Sequence, residues 1–102
     1  MRRGFLARLF GMPAVALPAP APAKSKVLIK SAWGSADPTQ ASFAFLHANA
    51  FADAGHPVQI FLLGEAVSLM RTAVANSVVP VGWPPLAEAM ARSLEHKIPV
   101  HV

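Results

Sequence analysis

Three short apolar runs punctuate the chain: "KVLIKSAW" at Lys26–Trp33, "HPVQIFLLG" with its strand over Val58–Leu63, and "IPVHV" at Ile98–Val102. Each is too short for a stable helix. The stretches between them repeat their apolar residues every three or four positions. That alternation is the strongest constraint on the fold. Strand, helix, strand, helix, helix, strand predicts an α/β domain with a parallel sheet and right-handed crossovers. The first run is rich in β-branched residues and Gln59 is the sole polar member of the second, so both strands are expected to be buried on both faces.

The helix signals are local and chemical. In "GSADPTQ" (Gly34–Gln40), Asp37 is an N-cap, Pro38 suits the first helical position and Gln40 stands where a capping box needs its partner. Ala41, Ala44, Phe45, Ala48, Phe51 and Ala52 follow as one stripe, and Gly55 is the expected stop. A second helix is expected from Glu65 to Asn76. After the loop "VVPVGWPP", a third is expected from Leu86 to His96, with Leu86, Ala89, Met90, Ser93 and Leu94 on one face.

The chain's 102 residues make one small domain, and 54% hydrophobic residues are enough for a core. A domain this small buries a modest share of its surface, so a further copy would help it. The net charge of +4 is unevenly placed. Residues 1–26 hold five basic side chains and no acid, whereas residues 27–102 hold four basic and five acidic ones. The body therefore lacks the basic footprint of a nucleic-acid binder. There is no cysteine, which excludes disulfides and thiol nucleophiles. The four histidines, His47, His56, His96 and His101, show no metal-ligand spacing, so neither metal nor cofactor is expected.

The first 23 residues read separately. A twin arginine (Arg2, Arg3), an apolar run from Leu9 to Leu17 and "APA" at Ala21–Ala23 have the order of an export signal, with cleavage before Lys24. The alternative is a disordered leader on a cytoplasmic protein. Export would place residues 24–102 in the periplasm or outside the cell. The apolar run is well short of the roughly 20 residues needed to span a bilayer, so stable membrane insertion is not expected.

In a parallel sheet the carboxyl ends of the strands share one rim, where ligands bind. Ser31, Trp33, Gly34, Ser35 and Asp37 arrive there after the first strand, and Gly64 and Glu65 after the second. A helix N-terminus among them suits a small anion. Capping accounts for Asp37, and a favourable place at a helix start accounts for Glu65. As a general base Glu65 would define a small hydrolase, but it has no evident second catalytic group. Trp83, between Gly82 and Pro84, either packs its loop or marks an interface.

Taken together, "KVLIKSAWGSADPTQASFAFLHANAFADAGHPVQIFLLGEAV", "PPLAEAM" and "IPVHV" make residues 25–102 resemble the DsrE/DsrF-like family of small sulfur-relay proteins. The resemblance implies a flavodoxin-like three-layer α/β sandwich, homo-oligomers, and a cysteine persulfide passed to a partner protein. In that family the cysteine follows the strand that reads "IPVHV" here. This chain has none, so the resemblance implies a truncated or inactive member, not an enzyme as it stands. The rival expectation is a non-enzymatic, homo-oligomeric module that binds a small anion or a partner protein.

Overall fold

The elements follow the alternation: β1 (Val27–Ser31), α1 (Pro38–Asp53), β2 (Val58–Leu62), a 3-10 segment (Gly64–Met70), α2 (Thr72–Ser77), α3 (Leu86–Glu95) and β3 (Val100–His101). They are seen in a computed structural model, which describes residues 24–102. The export signal expected over residues 1–23 lies outside the described residues. Among the described residues no helix is long and apolar enough to cross a membrane.

The sheet has the order β1-β2-β3 and both pairings are parallel. Val27 pairs with Val58, Ile29 with Ile60 and Ser31 with Leu62, and Ile60 also pairs with Val100. These residues form one face, which meets the helices. Ile60 and Leu62 are completely buried there, with Phe45, Ala41 and Ala48 of α1, Leu86 and Ala89 of α3, and Leu69. Removing a ring such as Phe45 from a core of this kind costs about 3–5 kcal/mol.

The expectation that β1 and β2 are buried on both faces is overturned. Burial alternates along both strands, and Leu28, Lys30, Gln59, Phe61 and His101 are exposed. The cause is topological. Strands laid down in the order one, two, three by crossovers of one hand place every connecting helix on the same side. The described residues thus form a parallel sheet with helices on one face.

α1 and α3 pack side by side over the sheet, and a buried polar bridge sets their register. Asn49 Nδ2 donates to the Ala89 carbonyl at 3.0 Å, and Ser93 Oγ donates to Asn49 Oδ1 at 2.7 Å. Every polar atom in that bridge has a partner, the condition for tolerating it in a core. Ser42 is the exception in α1: its Oγ is buried without a hydrogen-bond partner. At the surface, Arg92 donates two hydrogen bonds to the Asp53 carboxylate, at 2.7 and 2.9 Å, and His96 Nε2 lies 2.9 Å from it.

Other differences from the sequence expectations are equally physical. The predicted helix over Glu65–Asn76 is split at Arg71, whose backbone is extended. Ala66 and Leu69 lie three residues apart and both are fully buried, a spacing that the tighter 3-10 winding superposes. Ser68 Oγ also donates to the Glu65 carbonyl at 2.7 Å. Of the expected helical stripes, Phe51 and Leu94 are exposed instead of buried. The last strand is shorter than expected because Ile98 N–H is used to end α3 and Pro99 has no N–H to give.

Both long helices end the same way. After α1, Gly55 N–H donates to the Ala52 carbonyl and His56 N–H to that of Phe51. After α3, Lys97 N–H donates to Leu94 and Ile98 N–H to Ser93. These are two Schellman stops, each followed by a proline and a strand. Gly55 takes the left-handed position in the first, with φ 91°, whereas Lys97 takes it in the second, with φ 58°. A side chain at that conformation is strained by about 1–2 kcal/mol.

Two predictions follow from this packing. Lys97→Gly is expected to stabilise the domain by about 0.5–1 kcal/mol, after allowing for the freer unfolded chain. Calorimetry should register this as a rise in Tm of a few degrees. The Asp53 carboxyl is held below its ordinary value of 3.8, chiefly by the hydrogen bonds from Arg92, against some loss of hydration. Its contribution is complete above the ordinary value and disappears as pH falls through the lowered one. Asp53→Asn should therefore flatten the acid limb of a Tm-against-pH curve, and added salt should shrink the difference.

Candidate functional site

Parallel strands bring two chain segments to the carboxyl rim of the sheet. Ser31 ends β1, and its carbonyl accepts from Leu63 N–H at 2.9 Å, which ties the exits of β1 and β2 together. The Ser31 hydroxyl accepts from Trp33 N–H at 3.3 Å and so turns the chain outward. A turn closed by Asp37 N–H to the Gly34 carbonyl, 3.2 Å, then delivers α1. Asp37 Oδ1 accepts from Gln40 N–H at 3.0 Å, which makes Asp37 the cap of α1 as its place before Pro38 predicts.

The two segments touch at Gly34. A Cβ on Gly34 would lie 2.8 Å from the Glu65 carbonyl oxygen and 3.1 Å from its Cβ. Only a glycine lets the β1–α1 loop and the 3-10 segment approach this closely. Beside the contact opens a cavity of about 550 Å³ bounded by Ala32–Asp37, Glu65 and Ser68. Trp33 is half exposed at its wall. Asp37 and Glu65 are the charged residues of its lining, and the Ser68 hydroxyl is already committed to the Glu65 carbonyl.

Trp33, Gly34, Ser35, Asp37 and Glu65, all singled out in the sequence, thus line one cavity. Gly64 opens the 3-10 segment without lining it. Ser31 turns instead toward a smaller groove beside α1, shared with Gln40, Phe43 and His47. Trp83 is not at this rim. It stands edge-on to Phe43 with centroids 6.1 Å apart, and Phe43 stacks on His47 at 5.1 Å. Ser68 was missed because its place at the rim depends on the 3-10 winding, which the sequence reads as an ordinary helix.

The charge of the site bears on what it can hold. The N-terminus of α1 offers little to an anion: Pro38 has no N–H, Gln40 N–H is taken by Asp37, and two carboxylates line the space. A half-exposed indole beside carboxylates suits a cationic or donor-rich ligand better. Compared with protein-family models, curated proteins and solved structures, the chain matches none.

The contact at Gly34 generates a prediction. Gly34→Ala must push the two segments apart, because the opposing atoms are backbone. It is expected to lower stability by about 1–3 kcal/mol, the usual range for overpacking. A thermal melt checks this; an unchanged Tm would show that the rim is loosely joined.

Proposed function

We propose that residues 24–102 are a DsrE-like α/β domain that works as a binding module and takes a small, donor-rich ligand such as an amine at the carboxyl rim. The observation that carries this reading is the cavity formed where Gly34 meets Glu65, with Trp33, Asp37 and Glu65 among its lining residues. The parallel direction of the strands is compatible with the resemblance, since it delivers both loops to one rim. The sulfur-relay role enters only as kinship. Persulfide transfer requires a thiolate, and the sequence has no cysteine. In a relay the chain would serve a partner protein as a binding subunit.

The three-layer arrangement belongs to the same proposal. Parallel sheets are covered on both faces as a rule. Leu28 and Phe61, exposed on the bare face, support a second covering layer in the assembled protein. The hydrolase reading gains nothing, because Asp37, the other carboxylate at the cavity, is occupied as a helix cap.

Tryptophan fluorescence tests the ligand. Trp33 and Trp83 are the two indoles of the chain, so Trp83→Phe leaves Trp33 as the reporter. Titration of that protein with an alkylammonium salt is expected to saturate, and Glu65→Gln should weaken binding roughly tenfold, the worth of one charge-assisted contact. Saturable binding of thiosulfate but not of the amine, indifferent to Glu65→Gln, would instead favour the anion-binding alternative.

A further inference from the structure

The stops of α1 and α3 border one space. At the amino ends of the strands, opposite the rim, opens a cavity of about 540 Å³. Val27, Pro57, Val58 and Pro99 give it an apolar floor. Its ionisable lining residues are all basic: Lys26, His56, His96 and Lys97. Lys24 adds to them, because its Cε stands 3.8 Å from where a Cβ on Gly55 would lie, and Gly55 is part of the wall. Asp53, one residue from the lining Ala52, is already engaged by Arg92 and His96. His56 Nδ1 accepts from Ser25 N–H at 3.2 Å, so the neutral ring carries its proton on Nε2 as a donor. A cleft lined by one sign of charge concentrates the opposite sign.

Lys97 supplies a second, independent observation. The α1 stop places glycine at the left-handed position, whereas the α3 stop keeps a lysine there. Its side chain is exposed, so packing does not offset the strain. A cation beside a helix C-terminus gains less from the dipole than such a backbone costs. A strained residue that its surroundings do not compensate points to a role for its side chain. Here that side chain brings an ammonium to the mouth of the cavity.

From these observations we propose that the cavity binds a small phosphate monoester. The phosphoryl group sits among Lys24, Lys26 and Lys97, and the organic body lies on the floor of Val27, Pro57, Val58 and Pro99. Several ammonium groups suit a dianion better than a single carboxylate, and lysine serves phosphate as a point charge. The volume is in the range of small-molecule sites and exceeds what a bare oxyanion fills. This goes beyond the rim ligand and does not depend on it. The two sites lie at opposite ends of the strands and select opposite charge.

Isothermal titration calorimetry of the full chain with phenyl phosphate tests the proposal, with residues 1–23 present throughout. Saturation is expected with a Kd of about 0.1–1 mM. Inorganic phosphate should bind more weakly, because it leaves the apolar floor uncovered. Lys97→Gly should weaken phenyl phosphate about fivefold. It does so in a protein of raised Tm, so the loss is not one of folding. Lys26→Gln should weaken binding by a similar factor, whereas Lys30→Gln, which removes the same charge from the uncovered face of the sheet, should leave it unchanged. No saturation by about 20 mM overturns the proposal. Equal losses from all three substitutions also overturn it, since they show attraction to net charge and no site. Equal affinity for inorganic phosphate overturns the assignment of an organic body to the floor.

Discussion

The two crossovers from β1 to β3 step across the sheet in the same direction, and this one constraint governs the rest of the molecule. It stacks α1 beside α3 on a single face and makes their contact the centre of the core. It also aligns the exits of β1 and β2, which the hydrogen bond from Leu63 N–H to the Ser31 carbonyl holds level. The cavity at the carboxyl rim and, among the described residues, the uncovered face of the sheet and the edge position of β1 are all consequences of that arrangement.

Within the core, hydrophobic burial supplies the driving force and the Asn49–Ala89–Ser93 bridge supplies position. Apolar side chains such as Ala48 and Leu86 would tolerate α3 sliding along α1. A carboxamide that needs one particular carbonyl and one particular hydroxyl does not. Asp53 and Arg92 repeat the link at the exposed side of the same helix pair, where water and salt reduce its worth.

Much of this was legible in the residues. The Asp37–Pro38–Gln40 cap, the Gly55 stop and the alternation of strand with helix are local chemistry, and local chemistry is written directly in sequence. Five of the candidate rim residues share one cavity because a parallel sheet brings the exits of β1 and β2 to the same rim, although Ser31 turns to a neighbouring groove. What the sequence concealed depends on contacts between distant elements. Leu28 and Phe61 look like core residues until the strand order shows that no helix among the described residues reaches their face. The break at Arg71 is hidden because Ala66 and Leu69 suit a helix of either winding. Lys97 and Pro99 read as a break after the last helix, but that Lys97 takes the glycine-type conformation shows only in its backbone and the hydrogen bonds around it.

The paired helix stops give the domain a mechanical polarity. At the amino ends of β2 and β3 each helix turns into its strand through three residues and a proline, held by the two hydrogen bonds of the stop. At the opposite end the chain travels through Ala32–Asp37 and through the 3-10 winding, whose segments meet only by surface contact at Gly34. The two ends of the sheet are thus fastened by different means, main-chain hydrogen bonds at the floor and the close approach of two backbones at the roof. A side chain added at Gly34 would therefore part the roof and leave the floor's bonds untouched.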